Sequence, residues 1–226
     1  MQEKNRVLIV GSGGREHAFT WKISQSKKVE KIFVAPGNAG TSQEHKTTNI
    51  DISANDIPAL IQFSKDEQIN LVIVGPEDPL VNGITNQFAA GGINCFGPSV
   101  TAAQLEGSKD YSKAFMHKYQ IPTADYSSFD NITEAKRYIK GKPYPLVIKA
   151  DGLAAGKGVV ITEDYESAKK TIDEFMDKEK YGQAGKKIII EEFLVGQELS
   201  FIVMVNGKEV LPLATSQDHK TIGEGD

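Results

Sequence analysis

Three short apolar runs near the start of the chain each end on a glycine-containing turn, and this limits the fold more than any other feature. Arg6 to Val10 (RVLIV) runs into GSGG and REH. KIFVA, ending at Ala35, runs into PGNAG, Pro36 to Gly40, and LVIV, Leu71 to Val74, runs into GPEDPL. Runs that are apolar throughout, rather than alternating, fit parallel strands covered by helices on both faces. Helical patterns lie between them. One runs through Trp21 and Ile23 to about Ser26, and one follows Asn55 with Pro58 in its first turn and Leu60, Ile61 and Phe63 facing inward. A third is predicted over Val81–Ala90, before INCFGP. Strands alternating with helices at this spacing predict a doubly wound parallel sheet.

All three glycine turns follow the carboxyl ends of strands, which share one edge of such a sheet, the edge where ligands bind. A helix opening on GSGG offers main-chain N–H groups and a positive dipole end to a phosphate. Dinucleotide binding fits poorly. The third glycine of G-x-G-x-x-G would fall at position 16, which is Glu16, and the second strand ends Val34, Ala35, Pro36 with no acid for a ribose. Arg15, Glu16 and His17 read as a solvated helix start. Glu16, beside a phosphate pocket, could alternatively take a sugar hydroxyl or an amine.

The second half centres on LVIKADGLAAGKGVVI, Leu146 to Ile161, which reads as strand, small-residue loop, strand. The loop has little side-chain bulk, so its N–H groups can close over an anion, and Lys149 and Lys157 bracket it. It is not a Walker loop: the second glycine comes one residue early, at Gly156, and Gly158 stands where Ser or Thr would reach a metal. A flexible hairpin tip carrying lysines is the alternative reading. Upstream, TAAQLE is a short helix, and SKDYSKAFMHKY is an amphipathic one with Tyr111, Phe115, Met116 and Tyr119 inward, ended by Ile121-Pro122. Lys109 at its start opposes the helix dipole, which a phosphate would offset; an exposed lysine costing about a few tenths of a kcal/mol is the other reading. A strand over DYSSF, a helix from Ile132 to Lys140 and a helix from Asp164 to Met176 follow; 177–187 is a polar surface loop. Ile188 to Ile190 is a buried strand leading into Glu191-Glu192-Phe193-Leu194, and Glu198 is expected to start an alternating strand. EVLPLA, ending at Ala214, is one further strand. A flat base can use a strand's free main-chain donor and acceptor, with Phe193 and Leu194 as walls, and a carboxylate a few residues on can accept ribose hydroxyls. A surface hairpin with acids at its turn is the other reading.

Composition narrows the partners. The chain of 226 residues is 39% hydrophobic with a net charge of -4, so it has no basic field for nucleic acid. No apolar run reaches the length of a membrane span, and the N-terminus enters a strand too soon for a signal peptide. The single cysteine, Cys95, permits no intramolecular disulfide and fits a reducing, cytoplasmic setting; in its short strand it reads as a buried structural thiol.

In combination, VLIVGSGGREHA, VAPGNAGT, VIVGPEDPLVNGI, CFGPS, KADGLAAGKGV, IEEFLVGQELS and QDHK resemble the ATP-grasp superfamily. Within it they are similar to the glycinamide ribonucleotide synthetase (phosphoribosylamine–glycine ligase) family of purine biosynthesis, in that family's order and across nearly the whole chain. The resemblance implies an N-terminal pre-ATP-grasp α/β domain over 1–107. An incomplete α+β ATP-grasp domain over 108–226 would follow, with a lid over roughly 123–190. It implies ligation of glycine to 5-phosphoribosylamine through a glycyl phosphate, with ATP and magnesium or manganese. Lys109 and Lys149 would meet ATP phosphates, with Gly156, Lys157 and Gly158 in the covering loop, which would exclude water from the acyl phosphate. Glu191, Glu192, Phe193 and Leu194 would hold adenine, largely through the backbone, and Glu198 the ribose. Gly11, Ser12, Gly13, Gly14, Arg15, Glu16, Asn38, Ala39, Gly40, Gly75, Pro76 and Glu77 would hold the phosphoribosylamine. Gln217, Asp218 and His219 would lie where the substrates meet, Asp218 and His219 being the catalytic candidates; a structural Asp–His pair is the alternative.

In the family the chain continues past Asp226 into the metal ligands and a further domain, in some cases fused to later pathway enzymes. The expectation is therefore that these residues alone bind nucleotide weakly or not at all and do not turn over. A non-catalytic phosphosugar-binding module is a rival class. Another ATP-grasp ligase, such as one forming carboxyphosphate, would share EEFL and the glycine loop but not GSGGREH together with PGNAG.

Overall fold

A computed structural model describes the chain except residues 1–3, 155–156, 179, 218, 220–222 and 224–226. It divides into two compact units, Met1–Glu192 and Phe193–Asp226.

The first unit contains two sheets. β1 (Asn5–Gly11), β2 (Val29–Pro36), β3 (Thr47–Asn49), β4 (Leu71–Val74) and β5 (Cys95–Phe96) form a five-stranded sheet in the order β3-β2-β1-β4-β5. Every pairing in it is parallel. Val7 to Val10 are all buried, because helices cover both faces of this central strand. Leu8 and Val10 join Leu60 and Phe88 in one core, while Val7 and Ile9 join Ile32 and Val34 in another. α1 (Gly14–Ser24) and α2 (Ile57–Asp66) follow the glycine turn of β1 and the irregular segment after β3; Asp56 caps α2, accepting from the Ala59 amide.

The helix expected over Val81–Ala90 is two helices, α3 (Glu77–Val81) and α4 (Ile84–Ala90). Gly83, with φ of 82°, lies between them, and a left-handed residue cannot continue an α-helix. β3 carries no strong apolar pattern, and the sequence reading passes over it. Cys95 lies in β5, where burial pushes its thiol up to about 11, only partly offset by the Thr85 hydroxyl.

α5 (Val100–Gly107) and α6 (Lys109–Lys118) lead to the second sheet. There β6 (Tyr126–Phe129), β7 (Leu146–Ala150), β8 (Val159–Thr162) and β9 (Ile188–Glu192) are antiparallel in the order β6-β9-β7-β8. One face buries Leu146, Ile148, Ala150, Ile188 and Ile190 against α7 (Ile132–Tyr138) and α8 (Tyr165–Ile172). The side chains between them, Val147 and Lys149 on β7 and Glu191 on β9, point to the other face. The helix after Asp164 changes to π geometry over Asp173–Asp177, and the loop that follows holds a 3₁₀ turn at Gly182–Gly185. That loop is not wholly a surface feature: Tyr181 stacks edge-on against the buried Phe175.

α6 reverses part of its expected orientation. Tyr111 and Tyr119 are exposed, and the buried residue is Lys113. In the second unit, β10 (Val203–Asn206) and β11 (Glu209–Pro212) form an antiparallel hairpin. Glu198 starts no strand. It lies in the irregular segment before β10, the nearest regular pairing being a single bridge from Ser200 to Ser216. Among the described residues no helix is long and apolar enough to cross a membrane.

The Cys95 environment has a kinetic consequence. At pH 8 a thiol titrating near 11 is thiolate in only about one molecule in a thousand, against about a quarter for an ordinary cysteine. Labelling of the native chain by a thiol-reactive disulfide is therefore expected to run on the order of a hundredfold slower than in denaturant. Equal rates would mean the thiol is not buried as described.

Candidate functional site

At the carboxyl edge of the parallel sheet, Gly11 to Glu16, Pro76 and Glu77 line a cavity of about 480 Å³, joined by Ala54 and Asn55, which the sequence reading did not single out. The edge is built around Glu16. Its side chain is 4% exposed, and its Oε2 accepts from the Gly13 amide at 2.6 Å. A Cβ at Gly75 would overlap the Glu16 carboxylate, and one at Gly11, whose φ is 128°, would come within 2.6 Å of the same side chain. These two glycines make room for a buried acid. Arg15 leaves the same turn and crosses to the next one, donating to the Gly75 carbonyl at 2.6 Å and to Glu77 at 3.1 Å.

Asn38, Ala39 and Gly40 brace this edge from the side. Asn38 Nδ2 donates to the Ser12 carbonyl at 2.9 Å, and Asn38 Oδ1 accepts from the Gly40 and Thr41 amides. His17 pairs with Glu44 at 2.9 Å, and its ring fills the space where a Cβ of Gly40 would stand.

A second cavity, of about 760 Å³, lies between the two sheets of the first unit. Arg15, Glu77 and Asp78 face Lys109, Gly158 and Val159 across it. Lys109 sits at the α6 start and donates to the Gly152 carbonyl at 3.0 Å. Burial pulls its ammonium below the usual lysine value, against the opposing charges of Asp151 and Glu106, and nearby Lys149 adds to the lowering. The helix start has an anion supplied by the protein: Asp151 accepts from the Asp110 amide at 2.8 Å and from the Ser108 hydroxyl at 3.1 Å. Gly158 is required by close packing, since a Cβ there would lie 2.7 Å from Ala154. Tyr181 donates to the Lys157 carbonyl at 2.5 Å, fixing the end of the loop. Gly156 lies outside the described residues, as does Asp218.

On the open face of the second sheet, Lys149 pairs with Glu191 at 2.9 Å and Lys113 with the same oxygen at 3.1 Å. Val147 lies beside them, and Val159 and Ile161, paired with Lys149 and Val147 in the ladder, are 45% and 51% exposed. Cations thus border an apolar strip, the combination a base bearing phosphates requires. Sequence reading missed Lys113, Val159 and Ile161, although the alternation along VVIT carried the signal for the last two. Glu192 turns away and accepts from the Asp125 amide at 3.0 Å. Phe193, Leu194 and Glu198 belong to the second unit, where Phe193 and Leu194 are exposed, as are Gln217 and His219. Among the described residues no group of three or more His, Cys, Asp or Glu side chains is placed to hold a metal ion.

Two stability predictions follow from these contacts. Gly75→Ala is expected to cost about 1–3 kcal/mol by overpacking against Glu16, and clearly less in a Glu16→Ala background. Equal costs in both backgrounds, by urea unfolding, would reject that contact. Separately, Lys187 donates to Asp110 at 2.8 Å. Burial alone would raise the Asp110 carboxyl, but hydrogen bonds from Lys187 and Ser128 and the Lys187 charge outweigh it, leaving the group below its ordinary value of 3.8. A depressed carboxyl stabilises fully above its unfolded value and loses that contribution as pH falls through the folded one. Stability should thus drop more steeply below about pH 4 in the native chain than in Asp110→Asn. Parallel pH profiles of the two would remove the pair from the account.

Comparison with known proteins gives consistent matches over the chain. Residues 5–106 match the family described as phosphoribosylglycinamide synthetase, N domain, and residues 107–226 match phosphoribosylglycinamide synthetase, ATP-grasp (A) domain. The phosphoribosylamine–glycine ligase of Haemophilus influenzae is 53% identical over 97% of this chain and 51% of its own length. The crystal structure of phosphoribosylamine–glycine ligase from Thermotoga maritima superposes with a TM-score of 0.78 at 34% identity, covering 98% of this chain and 52% of that one. N5-carboxyaminoimidazole ribonucleotide synthetase from the same organism shares the fold, with a TM-score of 0.68 at 18% identity over 94% of this chain and 53% of its own. The chain spans about half the length of the curated relatives it matches.

Proposed function

The chain belongs to the phosphoribosylglycinamide synthetase family, and on that premise we propose that it forms the phosphosugar-binding part and much of the nucleotide-binding part of a phosphoribosylamine–glycine ligase. The reaction would join glycine to 5-phosphoribosylamine with conversion of ATP to ADP and phosphate. In this reading residues 1–107 hold the phosphoribosylamine, residues 108–226 contribute to the ATP-grasp domain, and the lid covers roughly 123–190.

The observation that supports this most directly is the cavity between the two sheets, where Arg15 and Glu77 from the phosphosugar edge face Lys109 at the α6 start and Gly158 from the lid. Amine attack on an activated carboxylate needs both substrates in one water-poor space, and this cavity faces both proposed sites. The residues present fit a nucleoside triphosphate: Lys109 and Lys149 for its phosphates, and Val147, Val159 and Ile161 as an apolar wall for the base. When bound, ATP supplies the phosphoryl group that activates the carboxylate. A divalent metal finds no cluster of acidic ligands among the described residues, so no role in it is assigned to them.

The proposed substrate roles of the Ser12 to Arg15 turn rest on the main-chain donors left at the α1 start, the Gly13 amide being taken by Glu16, and on the Arg15 guanidinium. Glu16 has a different role here, as the buried acid that shapes the turn. The adenine role of the stretch from Glu191 to Leu194 stays with the backbone, as the resemblance implies, since both carboxylates have protein partners; the Glu192 amide, which donates to Asp125, takes no part in it. Phe193, Leu194, Glu198 and His219 keep the roles implied by the family resemblance, as does Asp218.

Calorimetric titration with magnesium-ATP and, separately, ribose 5-phosphate tests the division of labour. Lys149→Ala should weaken ATP binding about tenfold or more, equivalent to about 1.4 kcal/mol, and leave ribose 5-phosphate unchanged. Arg15→Ala should weaken ribose 5-phosphate more than ATP. A folded chain that binds neither ligand, or ATP binding indifferent to Lys149→Ala, overturns the reading.

A further inference from the structure

A buried lysine on α6 shares an acid with Lys149, the lysine on the open face of the second sheet. Lys113 is 6% exposed and has three oxygen acceptors: Glu191 Oε2 at 3.1 Å, Thr123 Oγ1 at 2.8 Å and the Ala124 carbonyl at 3.0 Å. An ammonium has three N–H donors, so Lys113 is fully committed to the protein. Lys149 differs. Its side chain is 27% exposed, and among the described residues its one hydrogen-bond acceptor is Glu191 Oε2, at 2.9 Å. Two of its donors are thus left for a ligand. One carboxylate oxygen serves both ammonium groups, and Lys109 is the third cation acting on this region.

We propose that Lys113 is a positioning residue for phosphate binding: by taking part of the Glu191 charge, it keeps Lys149 oriented by that carboxylate but free to turn to a nucleoside triphosphate. This rests on the nucleotide-binding reading of Lys149 given above. Without Lys113, the whole carboxylate charge would fall on Lys149. Lys149 would then leave Glu191 for a phosphate less readily, because a desolvated pair separates at greater cost than a solvated one. A purely structural Lys113, by contrast, would support α6 and the Thr123–Ala124 segment and leave Lys149 chemically unchanged.

The test reads Lys149 directly and then reads the ligand. In the first arm, acetylation of Lys149 by acetic anhydride at pH 8 is followed by quantitative mass spectrometry, without nucleotide. Lys113→Gln should slow it several-fold, Glu191→Gln should speed it several-fold, and Lys113→Arg should leave it within about twofold. Lys113→Met is the second neutral variant if Lys113→Gln does not fold. In the second arm, magnesium-ATP and adenosine are titrated into the same proteins. Lys113→Gln should lower the ratio of ATP to adenosine affinity about tenfold, and it should have no further effect in a Lys149→Ala background. A folded neutral variant with an unchanged Lys149 rate, or with equal losses for ATP and adenosine, overturns the inference while leaving the nucleotide reading intact. A shifted rate in a chain that binds no nucleotide overturns the nucleotide reading and keeps only the coupling of the two lysines.

Discussion

The arrangement of the first unit depends on the Glu191 carboxylate, buried between two ammonium groups from different elements. Desolvating a carboxylate is costly, and here Lys113 from α6 and Lys149 from β7 offset that cost together. Breaking such a pair by removing one member usually costs about 3–5 kcal/mol, because the remaining charge stays buried. The pair therefore holds α6 against the open face of the second sheet. At its other end α6 is held by Asp151, which caps its first turn through Ser108 and the Asp110 amide. Since α5 runs into α6 through that same Ser108, the glycine loop and the parallel sheet share one anchor.

Buried acid also organises the carboxyl edge of the parallel sheet, in an opposite way. Glu16 is inserted between the turns after β1 and β4, where Gly11 and Gly75 leave space for it. The glycines of such turns are usually read as leaving room for a ligand's phosphate. At these two positions the space is occupied by protein, and Gly13 supplies an amide to the acid. What remains available to a phosphate is the rest of the α1 start and Arg15, itself tied to Gly75 and Glu77. The edge is thus set before any ligand arrives, which reduces the ordering a bound phosphosugar would impose.

Sequence reading recovered what local pattern encodes. The long strands of the parallel sheet followed from uniform apolar runs, the hairpin around the glycine loop from two β-branched runs, and the start of α2 from Pro58 in its first turn. It failed where long-range partners decide. Lys113 reads as the polar face of an amphipathic helix, and nothing near it in sequence shows that its acid lies on β9. Tyr111 and Tyr119 were assigned inward on hydrophobicity alone, but tyrosine tolerates exposure and the ion pair set the helix rotation. Gly83 was legible in principle, as a glycine inside a helical pattern, and its positive φ marks where one helix became two. β3 was not, since a three-residue edge strand with polar side chains carries almost no period.

The two acids of the EEFL stretch show how position within a strand separates residues that look equivalent in sequence. Successive side chains on a strand point to opposite faces, so Glu191 and Glu192 cannot share a role. Glu191 turns to the face that carries Lys149 and is committed to ion pairs. Glu192, at the strand end, fastens β9 to Asp125 by accepting its amide, while the Glu192 amide donates back to the Asp125 carbonyl at 3.0 Å. Neither carboxylate is thereby left to choose among bases. In the nucleotide-binding reading, a flat base at this strand end would be recognised by main-chain groups and by the apolar strip of Val147, Val159 and Ile161. In that reading phosphate recognition would fall to lysines, of which Lys149 is held by the buried acid.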